Sequence, residues 1–179
     1  MNYGTLPSRF LNVVDRLPNP RAQMVRRDGH WEEISSEEFL RRVAGLSTAL
    51  VELGVKPGDR VGLFSANRPE WHTADFAING SGAVTVPVYF NESPDRMTYI
   101  LKHCGAKVVF VVGVHQLQRL LAVRPSLPEL EQIIVADGGA GIPSECLLAR
   151  FTSLARPARL SHLHIGHHRR AQGRNAHAQ

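Results

Sequence analysis

The chain has 179 residues with 21 lysines and arginines against 16 aspartates and glutamates, a formal net charge of +5. No apolar run approaches the roughly 18 residues of a membrane span, and no charged-then-apolar leader opens the chain, so a cytoplasmic protein is expected. Cys104 and Cys146 form neither a CxxC pair nor metal-ligand spacing, which excludes a disulfide scaffold or a zinc module and leaves reduced structural thiols.

The first twenty residues predict a short amphipathic helix, with Phe10, Leu11, Val14 and Leu17 at helical spacing and Pro18 and Pro20 behind them. Residues 22–34 predict a hairpin in which Asp28-Gly29 turns between strands 23–26 and 31–34. Ser35 and Glu38 stand at capping-box spacing, and Phe39, Val43, Leu46, Leu50 and Leu53 then make one apolar stripe that Gly54 ends. That stripe reads as core packing. Lys56-Pro57-Gly58-Asp59 is a turn into the next segment.

From Val61 to Val112 the chain alternates. Residues 61–64, 83–86 and 108–112 are apolar, short and rich in β-branched side chains, which predicts three buried strands. A helix opens at Asn67, Pro69 and Glu70, with Asn67 as its cap, and stops near Gly80-Ser81-Gly82. A second opens at Ser93-Pro94-Asp95, presents Met97, Ile100 and Leu101, and stops at Gly105. Strand, helix, strand, helix, strand predicts an α/β fold with a mostly parallel sheet flanked by helices, beside the small N-terminal hairpin. A helix over 116–123 and a strand over 132–136 extend it. Gly138-Gly139-Ala140-Gly141 lacks the Lys-Ser or Lys-Thr pair of a phosphate cradle and reads as a surface loop.

Three side chains in this body are candidates for a catalytic role: His72, Asp75 and His103. His72 and Asp75 lie three apart on one helix, where an exposed pair or a packing role is the simpler reading, and His103 stands alone. Trp71 reads as core.

Taken together these residues resemble the N-terminal part of the adenylate-forming (AMP-binding) enzymes, and among them the long-chain fatty acid–CoA ligases. The match is carried by Glu33-Ile34-Ser35 before the long helix, by Leu53 to Val61, by Asn67-Arg68-Pro69-Glu70-Trp71, and by Gly82 to Tyr89 followed by Ser93-Pro94 and Tyr99-Ile100-Leu101. It runs from about residue 7 to about 155. The resemblance implies ATP-dependent activation of a fatty acid to an acyl-adenylate, then an acyl-CoA, with ATP, Mg²⁺ and coenzyme A as the cofactors of the intact family member. Family catalysis needs backbone donors and a cation aimed at the phosphates. The family supplies them from a loop of the form YTSGTTGxPKG, which this sequence lacks. No family catalytic, cofactor-binding or metal-binding residue finds a counterpart here, so none is assigned and the chain is expected to be inactive alone.

The place of that loop is taken by a tail of different character. Every acid lies at or before Glu145, whereas 151–179 carry Arg156, Arg159, Arg169, Arg170 and Arg174. Combining the last two bases of each codon with the first of the next, the genetic code lets Leu163 to Gln179 spell YTSGTTGEPKGVMLTH. A frameshift within about 150–162 would explain both the missing loop and the change of charge. The expected organisation is a partial ligase domain over 1–155 and an out-of-frame tail over 156–179. Two other readings of the tail, metal binding by His162, His164, His167 and His168 and nucleic-acid binding by its arginines, lack a structured ligand spacing and aromatic stacking residues respectively, so no nucleic acid is expected as a partner. A non-catalytic module whose basic tail grips an anionic partner is the alternative function. Peripheral membrane contact is expected only of the intact enzyme.

Overall fold

In the computed structural model, residues 4–136, 142 and 146–149 are described. The elements run α1 (Leu6–Arg16), β1 (Gln23–Arg27), β2 (His30–Ile34), α2 (Ser36–Glu52), β3 (Arg60–Phe64), α3 (Pro69–Gly80), β4 (Val84–Val88), α4 (Pro94–Cys104), β5 (Val108–Val112), α5 (Val114–Val123), β6 (Gln132–Ala136) and β7 (Leu147–Ala149). The glycine-rich loop of 138–141 and the tail from 150 onward lie outside the described residues.

Local chemistry sets the N-terminal elements. The Thr5 hydroxyl accepts from the Ser8 N–H and Pro7 occupies the first turn of α1. Phe10 packs against Phe39 and Phe76, with ring centroids 5.0 Å and 4.6 Å away. Leu17, expected as the last member of this packed stripe, is instead the cap and points to solvent. The hairpin forms as read, with Asp28 at φ 48° and Gly29 at φ 82° giving two successive left-handed residues in its turn.

On α2 the Ser35 hydroxyl accepts from the Glu38 N–H at 3.1 Å. The reciprocal half of the expected capping box gives way to ion pairs, because the Glu38 carboxylate accepts from Arg41 at 2.7 Å and Arg42 at 2.6 Å. Burial pushes this carboxyl up, but the hydrogen bonds and charges of Arg42 and Arg41 together hold it below its ordinary value. Phe39, Val43, Leu46 and Leu50 are buried as expected, while Leu53 becomes the cap and is exposed.

The main sheet has the order β4-β3-β5-β6-β7, with every neighbouring pair parallel. Alternate residues of its central strands feed two cores. Val61, Leu63, Val108, Phe110 and Ile134 meet α2 and α3 on one face, whereas Val109, Val111, Ile133 and Val135 meet Met97 and Leu101 of α4 and Leu117 and Leu120 of α5 on the other. Continuous apolar strands are therefore what this position in the fold demands.

The connection from β4 to β5 carries α4 past β3, and Gly62 makes room for it. A Cβ at residue 62 would stand 2.8 Å from a Leu101 methyl and 3.0 Å from Val109.

Two further expectations are corrected. The run 83–86 is not a buried strand: β4 spans Val84–Val88 at the sheet edge, with Val84 and Pro87 exposed. Pro87 has no N–H to give a further neighbour, and an edge is where a strand proline is tolerated. Nor does Asn67 cap α3. Pro69 at the first helical position drives the residue before it into extended geometry, so Arg68, at φ −160° and ψ 166°, takes the cap position without a side-chain bond.

Candidate functional site

Strand order reverses between β3 and β5. The chain leaves β3 for β4 on one side, then returns to β5 on the other. In open parallel sheets a crevice forms outside the carboxyl ends of the strands at such a point, beside helix N-termini whose first N–H groups lack intrahelical partners. Here those ends are residues 65–68 before α3, residues 89–93 before α4 and Gly113 before α5.

An open cleft of about 390 Å³ lies at this end, lined by Ser65, Asn67, Trp71, Pro87, Val88, Tyr89 and Phe90. Its size and mostly apolar lining, with two short polar side chains, suit a small-molecule contact. The lining holds no carboxylate, imidazole, thiol or lysine. The Ser65 hydroxyl is already committed, donating to the Ala66 carbonyl at 2.8 Å. This surface can hold and orient a molecule, but it offers no general base and no charge for a phosphate. Trp71, read from the sequence as core, is half-buried: it packs against the core under α2 and α3 and also helps line the cleft.

The cleft wall is fixed from across the molecule. Arg119 of α5 donates to the carbonyls of Phe90 and Glu92, and its guanidinium lies 5.4 Å from the centroid of the Phe64 ring. Replacing it frees the chain segment that carries Tyr89 and Phe90. Arg119→Ala is expected to raise the rate of chymotrypsin cleavage after these aromatics by roughly tenfold under native conditions. An unchanged rate would show that the wall stands without the clamp.

The side chains with catalytic chemistry do not converge on this cleft. Asp75 accepts from Asn79 Nδ2 at 3.0 Å, and the same amide donates to Thr85 at 3.1 Å, so Asp75 helps fasten α3 to β4. His72 is exposed, its ring 5.5 Å from that of Trp71. His103 stacks on Tyr99 on the outer surface of α4 at 5.5 Å and 11°. The half-buried Cys104 thiol donates to the Leu101 carbonyl at 3.4 Å, and burial pushes its ionisation above the ordinary value, the opposite of a reactive thiol. Among the described residues no cluster of three metal-ligating side chains occurs and no helix is long and apolar enough to cross a membrane.

The side chains lining this cleft do not supply the charged groups that the nucleotide cofactor implied by the family resemblance would need. ATP needs cations or a run of backbone donors for its phosphates, and Mg²⁺ needs oxygen ligands. The cleft lining brings neither cations nor carboxylates.

Comparison with known proteins gives the fold a family. The model of the AMP-binding enzyme family matches residues 12–169. The long-chain-fatty-acid–CoA ligase FadD15 of Mycobacterium bovis is 31% identical over 139 residues, covering 71% of this chain and 23% of its own length. The peroxisomal long chain acyl-CoA synthetase 7 of Arabidopsis thaliana is 32% identical over 141 residues, covering 75% and 20%. The chain thus spans about a fifth to a quarter of the length of these relatives. Among solved structures, the anthranilate CoA ligase AuaEII in complex with anthranoyl-AMP superposes with a TM-score of 0.74 at 26% identity, over 89% of this chain and 29% of that one. The acetoacetyl-CoA synthetase of Streptomyces lividans shares the fold with a TM-score of 0.73 at 23% identity, over 83% and 24%. With the parallel sheet, the helices on its two faces and a family match over most of its length, this chain belongs to the AMP-binding enzymes.

Proposed function

We propose that this chain is part of an AMP-forming ligase that activates a fatty acid through an acyl-adenylate and passes the acyl group to coenzyme A. The observation that carries the reading is the similarity to long-chain fatty acid–CoA ligases over 139 residues. ATP, Mg²⁺, the fatty acid and coenzyme A are then the substrates and cofactors of the whole protein, which works in the cytoplasm. Residues 1–155 form part of its ligase domain. They position the crevice end of the sheet, and the phosphate-binding loop comes from sequence that this chain reads in another frame over 156–179. These 179 residues alone do not turn over.

The test has two arms. The coding DNA is resequenced from residue 150 to several hundred bases beyond residue 179, and ATP–pyrophosphate exchange with palmitate and with shorter acids is measured for the 179-residue chain and for a chain expressed in the restored frame. Exchange above background by the restored chain only is the expected result. Exchange by the short chain overturns its inactivity, a closed second frame overturns the frameshift, and a folded restored chain without exchange on any acid overturns the ligase reading.

The uneven charge of the tail favours one second reading, a non-catalytic module that holds an anionic partner through 156–179. It requires a salt-sensitive binding activity that disappears when those residues are deleted.

A further inference from the structure

Among the described residues an aspartate or asparagine precedes glycine at two places, Asp28-Gly29 at the tip of the hairpin and Asn79-Gly80 at the end of α3. At such a pair the glycine nitrogen can attack the side-chain carbonyl carbon of the residue before it, because glycine carries no Cβ to hinder ring closure. In an unstructured peptide the asparagine pair reacts first, since an amide gives up ammonia more readily than a carboxylate gives up its oxygen.

The structure treats the two pairs differently. Asn79 Nδ2 donates to the Asp75 carbonyl at 2.8 Å, to Asp75 Oδ1 at 3.0 Å and to Thr85 Oγ1 at 3.1 Å. Gly80 is buried in the last turn of α3, where backbone N–H groups bond to carbonyls four residues back. Ring closure there requires the helix end to unwind. Asp28 and Gly29 are both exposed, and among the described residues neither the Asp28 carboxylate nor the Gly29 N–H has a hydrogen-bond or ion-pair partner. Nothing stands within 4 Å on the open side of Gly29. The left-handed backbone at Asp28, φ 48°, is one that a side chain adopts at a cost, and leaving it for ring closure breaks no side-chain contact.

We propose that Asp28-Gly29 is a self-modification site whose product is the methyl acceptor of a carboxyl methyltransferase using S-adenosylmethionine, while the fold keeps Asn79-Gly80 intact. The Gly29 nitrogen attacks Asp28 Cγ, the N–H proton and the carboxyl hydroxyl leave together as water, and a cyclic imide forms. Water then opens the ring at either carbonyl. Opening at the Asp28 backbone carbonyl leaves the chain running through the side-chain carbon, an isoaspartate with a free α-carboxylate and an unchanged total mass. That carboxylate takes the methyl group of the sulfonium donor, giving an ester and S-adenosylhomocysteine. The turn that Arg27 and His30 close presents it at the molecular surface, where an enzyme can reach it.

The full 179-residue chain is kept folded for several weeks in neutral buffer at physiological temperature, with a parallel sample in urea. Tryptic peptides are separated and each is labelled with an isoaspartyl methyltransferase and tritiated S-adenosylmethionine. Asp28, Asn79 and the Asp137-Gly138 pair, which lies outside the described residues, are thereby counted apart. In the folded sample the Asp28 peptide is expected to carry at least about tenfold more label than the Asn79 peptide, and in urea the order is expected to reverse. The aged chain carrying Asp137→Glu should also accept label before digestion, and should lose that capacity when Asp28→Glu is added, because the longer side chain closes its ring poorly. Asp28→Asn keeps a residue pair that suits the turn and carries an amide, so its folded form should be labelled faster; it carries the test if Asp28→Glu loses its circular-dichroism melt. Label on Asn79 equal to or above that on Asp28 in the folded sample, label on Asp28 in urea only, or a folded Asp28→Asn chain labelled no faster overturns the proposal. So does an aged intact chain that accepts no methyl group although its Asp28 peptide does.

Discussion

Phe110→Ala is expected to destabilise the described fold by about 3–5 kcal/mol, read as a lowered urea midpoint with little change in slope. Phe110 sits on β5, which pairs with β3 on one side and β6 on the other. Its ring is 1% exposed and belongs to the core under α2 and α3. Removing it takes away the burial of a large side chain and leaves a cavity that two flanking strands and two helices must close together. Collapse is difficult there, because the same helices are held by Leu46, Leu50, Ala74 and Ile78. A domain with a total stability of about 5–15 kcal/mol would lose a large part of it. Val84→Ala, at the exposed edge, should stay within about 0.5 kcal/mol. Equal effects at the two positions would mean that the sheet does not have the order described.

That contrast is also where sequence and structure part company. The runs 61–64, 83–86 and 108–112 look alike as strings of valine and other apolar residues, and periodicity alone treats them alike. Two are central strands and the third is an edge; the only local sign of the difference is Pro87, which cannot donate to a further strand. Helix starts show the same limit. Ser35 and Ser93 cap as their spacing predicts, each accepting from the N–H three residues on. Asn67 does not, because the stronger backbone demand of Pro69 shifts the cap to Arg68.

The elements from α1 to β6 and the hairpin were legible because each has local punctuation, whereas β7 was not read from the sequence. The cleft was not. It is assembled from 65–71 and 87–90, and its wall is secured by Arg119, some thirty residues further along the chain. No window of sequence contains that arrangement. Asp75 shows the reverse case, a carboxylate with plausible catalytic spacing to His72 whose partner turns out to be Asn79. In hindsight the useful signal was position. Asn67 and Trp71 follow β3, and Tyr89 and Phe90 follow β4, all at the strand ends where an open parallel sheet forms its crevice.

The second large effect is expected at Glu70, which ties the hairpin to the body. Its side chain is only 4% exposed, accepts from Arg68 Nε at 3.0 Å, and accepts from Arg27 of β1, 43 residues away. It also lies in the first turn of α3, where a negative charge is favoured. Breaking a fully buried pair costs about 3–5 kcal/mol, because a charge is left in a dry site. Here the two arginine side chains keep 38% and 30% of their exposure and water can solvate them after the acid is gone. Glu70→Gln should therefore cost less, about 2 kcal/mol, and Arg27→Ala should cost less again. The double variant decides the matter. If the carboxylate and Arg27 act as a pair, the coupling in a double-mutant cycle is about 1 kcal/mol, and the hairpin amides lose hydrogen-exchange protection before those of β5 and β6 do. Additive losses would instead mean that Glu70 acts mainly through Arg68 and the helix terminus. The hairpin would then be held by its own packing, with Ile34 of β2 buried in the core beside Phe39.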